Sequence, residues 1–270
     1  MVCASWIVEG DELLGQRGGL EKYKRTGSTF GMPLLHPWAN RLDRPIESPL
    51  VRHDPNGLPI HGILAASPNW EVIEESPERM AAQLDFGAHP EYLEVFPYPH
   101  VIEVDVAIEP HAQTVATRVH ATGDVDVPIA FGWHPYLRIP NVPRTEWDLT
   151  LPVREHLVLD DRNIPTGQVE PVAYPDPLRL EERDFDDGYA GVADGTTFAV
   201  AGGGRRIELE FVSGYPYAQV FAPLAEEVVC FEPMTAPTNA LVSGQGLRTV
   251  APGESFEAVF TVRAIPSASP

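Results

Sequence analysis

The strongest pattern along the chain has a period of two. Ile102, Val104, Val106 and Ile108 alternate with Glu103, Asp105 and Ala107, and Val115, Thr117 and Val119 alternate with Ala116, Arg118 and His120. Ile207, Leu209 and Phe211 alternate with Glu208 and Glu210, and Phe256, Ala258, Phe260 and Val262 with Glu257, Val259 and Thr261. Alternation of this kind sends apolar side chains to one face of a strand and polar ones to the other. Turn clusters separate the runs: Asp54-Pro55-Asn56-Gly57, Ala201-Gly202-Gly203-Gly204 and Pro252-Gly253-Glu254, with Glu109 to Gln113 placed as a hairpin connection. No amphipathic helix longer than a couple of turns stands out. Many short strands with turn-rich joints predict an all-β antiparallel sandwich or barrel. No linker or composition shift divides residues 1–270, so a single domain is expected. The Pro-rich stretch from Pro140 to Asp194 reads as a set of long surface loops.

Several polar residues interrupt this pattern. Val228 to Phe231 is strand-forming and delivers Glu232 just before Pro233. Period two puts Val228, Cys230 and Glu232 on one face, where burial would raise the carboxyl pKa toward the range useful for proton transfer. If Pro128 to Leu137 forms a strand, Ala130, Gly132 and His134 share a face opposite Phe131 and Trp133. Two small residues in line with a His predict a concave floor carrying one titratable group. Asn40-Arg41 follows an apolar stretch, and the Arg offers a rigid fork of donors. His61 sits in an apolar run beside Gly62, which leaves room for something to approach the backbone. In Arg183 to Gly191, Asp186 or Asp187 could accept hydrogen bonds from hydroxyls.

Charge narrows the class of partner. With 39 acidic residues against 19 basic ones, the net charge is −20, which argues against nucleic acid or an anionic membrane as partner. Only two lysines occur, Lys22 and Lys24. Cys3 and Cys230 are far apart and in no ligand spacing, the first residues lack a secretion signal, and no apolar run approaches the ~18 residues of a membrane span. A cytoplasmic protein with free thiols is expected. The nine histidines never fall in HxH, HExxH or HxxxH spacing, no GxSxG elbow occurs, and Gly202 to Gly204 lead into a strand rather than a helix. A metal site, a serine nucleophile and a dinucleotide site therefore have no motif.

Five segments in order resemble the aldose 1-epimerase (galactose mutarotase) family, particularly its bacterial branch: Gly31 to Leu42, Ile60-His61-Gly62, Gly132 to Tyr136, Phe185 to Tyr189 and Phe231 to Leu241. The resemblance covers about residues 10 to 263. It implies a large antiparallel β-sandwich, the galactose mutarotase-like supersandwich, carrying a sugar on a concave sheet face. It implies His134 as general acid and Glu232 as general base. Asn40, Arg41, His61 and Asp186 would hold hydroxyls and the ring oxygen, with Asp186 preferred over Asp187. Members of the family usually carry one or more strands ahead of the region matching Gly10 to Leu14, so one sheet edge here is expected to be short.

An acid and a base on either side of C1–O5 suffice to exchange anomers, so no metal or other cofactor is expected, and the partner is a small-molecule sugar met by a monomer or homodimer. His134 must carry a proton for ring opening, which a nearby carboxylate would favour. A hexose 6-phosphate is the alternative substrate, and a non-catalytic carbohydrate-binding protein on the same fold the alternative class. A dianion needs clustered basic residues. Arg44 and Arg138 beside Arg41 are poor candidates for such a cluster, so the sequence favours a neutral aldose such as glucose or galactose.

Overall fold

The computed structural model describes residues 1–265. Two nine-stranded antiparallel sheets dominate it. The first runs in the order Val2–Cys3, Met32–Leu35, Gly132–Trp133, Val229–Met234, Tyr217–Ala222, Phe185–Ala190, Glu155–Leu159 and Pro165–Pro171, with Tyr136–Leu137 also paired to Val229–Met234. The second runs Leu178–Arg179, Asp148–Thr150, Thr196–Gly202, Arg205–Ser213, Ser255–Ile265, Ala112–Ala121, His100–Glu109, Arg79–Asp85 and Glu71–Glu75. All four alternating runs lie in this second sheet. Their registers are long: Ala112 to Ala121 pairs with Glu109 to His100 across a two-residue turn at Pro110-His111, and Ala112 to His120 pairs on its other side with Arg263 to Ser255.

The sheets pack face to face through aromatic side chains. Phe231 of the first stacks on Phe198 of the second at 5.5 Å between ring centroids, and Trp133 meets Phe260 edge-on at 5.8 Å. Trp133 Nε1 also donates to Thr117 Oγ1 across the interface at 3.0 Å, so the indole N–H is not left unpaired in the core. The other face of the first sheet is covered by loops. Cys230 and Met234 belong to two small apolar clusters there, separate from the main core that holds Val229 and Phe231. The face shared by Val228, Cys230 and Glu232 is therefore buried, as the spacing predicts.

Three expectations are corrected. Pro140 to Asp194 is not a set of surface loops. It contributes five strands, Asp148–Thr150, Glu155–Leu159, Pro165–Pro171, Leu178–Arg179 and Phe185–Ala190, with Pro152, Pro175 and Pro177 in the connections between them. Pro128 to Leu137 is not one strand. Val127–Ile129 pairs with Arg248–Val250 in a separate two-stranded sheet before the chain enters the first sheet at Gly132. Nor does Gly132 floor a cavity: a Cβ there would lie 2.7 Å from the Pro233 carbonyl oxygen and 3.0 Å from Ala39 Cβ, so its smallness serves backbone packing. Two short strands, Val2–Cys3 and Ile7–Val8, precede Gly10. The one helix of any length is Gly19–Thr26, and among the described residues no helix is long and apolar enough to cross a membrane.

Candidate active site

A polar cavity of about 360 Å³ opens on the outer face of the first sheet. Its lining includes Asn40, Arg41, His61, His134, Asp186 and Glu232, so these six residues come together in one place. Glu232 comes from the central strand Val229–Met234, and His134 stands one residue beyond the adjacent strand Gly132–Trp133. Glu232 Oε1 lies 3.2 Å from His134 Nε2, with both side chains almost wholly buried. Strand alternation decides between the aspartates. Asp186 faces the cavity, while Asp187 turns away and accepts from His156 Nε2 at 3.0 Å.

Each group is held by its neighbours. Arg41 donates to Asp54 at 2.8 Å, to Asp186 at 3.2 Å and to Asn40 Oδ1 at 3.1 Å, so its fork is fixed in the wall. Asp186 also accepts from Gln219 Nε2 at 2.7 Å and from Asn163 Nδ2 at 2.8 Å. His61 has a left-handed backbone, φ +64°, and its amide donates to the Asn40 carbonyl, itself at φ +58°. The turn holding it there depends on Gly62: at φ +68°, a Cβ would sit 2.0 Å from the His36 carbonyl oxygen. The group that approaches this backbone is thus the chain itself. His61 then meets His134 edge-on at 5.4 Å.

Tyr136, Arg17, Arg52, Thr29 and Phe221 also line the cavity and were not singled out from the sequence. Tyr136 could have been found, because it lies two residues after His134 and period two predicts a shared face. Its ring stacks on the imidazole at 4.2 Å, and its hydroxyl lies 3.2 Å from His134 Nε2 and 2.7 Å from Thr29 Oγ1. Arg17 donates to that hydroxyl at 2.8 Å. Nothing local marks Arg17 or Arg52, which arrive by long-range packing. Arg44 and Arg138 are not among the lining residues.

Burial dominates the electrostatics. It pushes His134 down to about 3, with the charge of Arg17 adding to the effect. It pushes Glu232 well above the usual carboxylate range, with Asp186 adding to that. The nearby carboxylate expected to keep His134 protonated is present, but desolvation outweighs it. Both shifts run toward the neutral pair, favouring the proton on Glu232 over His134. Three buried polar atoms in this wall lack a hydrogen-bond partner: Glu232 Oε2, His134 Nδ1 and His61 Nδ1. Unsatisfied groups of this kind cost stability unless a partner completes them.

The family model described as aldose 1-epimerase matches residues 3–263. The chain belongs to the aldose 1-epimerase family. Among solved structures, a galactose mutarotase-like protein from Clostridium acetobutylicum superposes with a TM-score of 0.80 at 18% identity, over 94% of this chain and 86% of that one. A protein from Synechocystis sp. PCC 6803 gives 0.76 at 22% identity, over 98% and 88% of the two chains. A putative aldose 1-epimerase from Escherichia coli K12 gives 0.75 at 18%, over 98% and 92%. At these identities the likeness shows the galactose mutarotase-like fold. No curated protein matches the chain.

Proposed function

We propose that this aldose 1-epimerase family member interconverts the α and β anomers of a hexose, with Glu232 and His134 as the proton-transferring pair. The observation that carries the reading is their buried 3.2 Å contact in the wall of a polar cavity. In ring opening the Glu232 carboxylate takes the proton from the C1 hydroxyl as C1=O forms. The C1–O5 bond breaks, its electron pair goes to O5, and imidazolium His134 delivers a proton there. Rotation about C1–C2 presents the other carbonyl face. In closure O5 attacks C1, His134 takes back the O5 proton, and Glu232 returns one to O1. No proton is gained or lost over the cycle. Each positioned transfer is worth about 10²–10⁴ in rate.

The neutral pair favoured in the free protein, with the proton on Glu232, is the form left after opening and the form competent for closure. Its ionic counterpart opens the ring, and one proton moved between Oε1 and Nε2 interconverts the two. Sugar hydroxyls at Glu232 Oε2, replacing solvation that burial removed, would favour the ionic form. Arg41, Asn40 and Asp186, already fixed to one another, would orient hydroxyls, and His61 would offer a hydrogen bond to the ring.

The test is proton NMR exchange between anomeric signals in glucose and galactose at equilibrium. Catalysed exchange that is lost in folded His134→Ala and Glu232→Gln supports the assignment. A wild-type rate in either variant overturns the roles. Sugar binding by calorimetry with no exchange above buffer would favour a carbohydrate-binding protein instead.

A further inference from the structure

We propose that Arg17 and Arg52 form an anion subsite at the His134 end of the cavity, and that the sugar it serves carries a carboxylate or phosphate on C6. The placement rests on the reading above, that His134 acts at the ring oxygen. O5 is bonded to C5, and C5 bears C6, so a substituent on C6 lies beside O5 and therefore on the side of His134. Arg17 donates to the Tyr136 hydroxyl at 2.8 Å, which lies 3.2 Å from His134 Nε2, and Arg52 lines the same cavity, whereas Arg41 is tied to Asp186. An anion on the other side of the sugar would face Asp186.

The two guanidiniums differ in what they leave free. Arg17 is fully engaged: it donates to the Thr29 carbonyl, the Tyr136 hydroxyl and the Glu226 carboxylate. Arg52 makes one hydrogen bond, to the Gly27 carbonyl at 2.7 Å, and among the described residues has no acidic partner within salt-bridge distance. Its remaining donors are available at the cavity. A planar fork with free N–H groups suits carboxylate or phosphate, which it can grip through two oxygens. Burial is the main cause that holds Arg52 below the usual arginine range, with Arg17 adding to it, and a bound anion would offset part of that burial cost.

The surrounding charge points the same way. Helix Gly19–Thr26 carries both lysines of the chain and Arg25. Arg52 also lines the neighbouring depression with Lys24 and Arg25. In a protein of net charge −20, Arg17, Arg52, Lys24 and Arg25 thus line two depressions that share Arg52, and their local field opposes that of the whole chain.

The experiment compares anomer exchange for glucose, glucose 6-phosphate and glucuronate at equal concentration. The expected result is a kcat/KM at least ~10-fold higher for one of the anionic sugars than for glucose, with that ratio falling at least ~10-fold in Arg52→Gln and largely kept in Arg52→Lys. Which anionic sugar leads tells phosphate from carboxylate. A ratio near one in the wild type, or one unchanged in Arg52→Gln, overturns the subsite while leaving mutarotation of neutral sugars intact. If no sugar is turned over, the functional reading fails alone, and calorimetry with glucose 6-phosphate and glucuronate on wild type and Arg52→Gln still reads the subsite. Weaker binding of either sugar in the variant supports it, and equal binding of both overturns it.

Discussion

The two large sheets use the same antiparallel geometry for different purposes, and their burial patterns show it. In the second sheet, His100–Glu109 and Arg205–Ser213 alternate between buried and more exposed positions. One face packs on the core and the other meets water, where charges pair along the strands, as Arg118 does with Glu103 and Glu257. In the first sheet, Met32–Leu35 and Val229–Met234 are buried at every position. Their inner face packs on the core, and their outer face is roofed by the loops that close the cavity. Alternation appears only where one face is solvated. The sheet that carries the candidate site is therefore the one that a period-two reading sees least well.

The sharpest way to separate the roles of the faces is within Val229–Met234 itself. Phe231 points into the core and is fully buried, so Phe231→Ala is expected to cost about 3–5 kcal/mol in chemical denaturation. Glu232, its neighbour, points the other way. Glu232→Gln keeps the volume of a side chain whose neutral form burial favours, so stability should stay within about 1 kcal/mol of wild type. Anomer exchange should fall by about 10²–10⁴. A Gln variant that unfolds easily, or one that keeps its rate, would show that the two faces are not divided in this way.

That division also explains what could be read from the sequence. The core strands of the second sheet were visible at once, because Val, Ile and Phe alternate there with Glu, Asp and Arg. In the first sheet the chemistry-bearing residues were visible instead, since His134, Glu232 and Arg41 each break an apolar stretch. The five strands between Asp148 and Ala190 were not, because they are two to seven residues long and several are edge-like, with Pro165–Pro171 exposed along nearly its whole length. Arg17 and Arg52 were missed for another reason. Their place in the cavity wall depends on how the segment leading into helix Gly19–Thr26 and the paired strands Arg52–His53 and Pro59–Ile60 fold over the sheet, which no local spacing encodes.

A second contrast lies where the sheets meet. His36 follows the first-sheet strand Met32–Leu35, and His100 begins the second-sheet strand His100–Glu109. Their Nε2 atoms lie 2.8 Å apart in the core. His100 Nδ1 donates to the Tyr98 carbonyl at 2.6 Å, so its Nε2 accepts from His36 and both rings are neutral. Burial lowers His100 to about 4 and pushes His36 well below its ordinary value. Above about pH 6.5 neither state binds a proton at these sites. Below it the unfolded chain gains protons that the folded one refuses, so stability falls as pH drops from about 6.5 to 4. For His100 alone the loss approaches about 3 kcal/mol. Urea midpoints across this range should move less in His100→Gln than in wild type, and an equal slope would remove the histidines as the cause. The exchange rate per folded molecule should stay level over the same range, because His134 accepts a second proton only near pH 3.

Two adjacent aspartates give a smaller test of the same principle. Asp186 faces the cavity and ties Arg41, Gln219 and Asn163 together, whereas Asp187 is bonded to His156 on the other side of the strand. Asp186→Asn should lower kcat/KM for the sugar by about 10-fold or more, roughly 1.4 kcal/mol. Asp187→Asn should leave it near wild type. The opposite order would mean that the strand presents its other edge to the substrate.

The smallest expected effect comes from the solvated face of the second sheet. Arg118 reaches Glu103 and Glu257 there, and its side chain is half exposed. Water screens such pairs, and holding long side chains in one geometry costs entropy, so exposed ion pairs contribute about 0–1 kcal/mol. Arg118→Ala should shift the denaturation midpoint by no more than that, less at high salt, and leave anomer exchange unchanged. A larger loss of stability would mean that this face is tied to the core through its charges, and a loss of rate would mean that the second sheet is coupled to the site. Neither effect is expected of a solvated face whose sheet meets the candidate site only through buried contacts on its other face, such as Phe198 on Phe231 and Phe260 on Trp133.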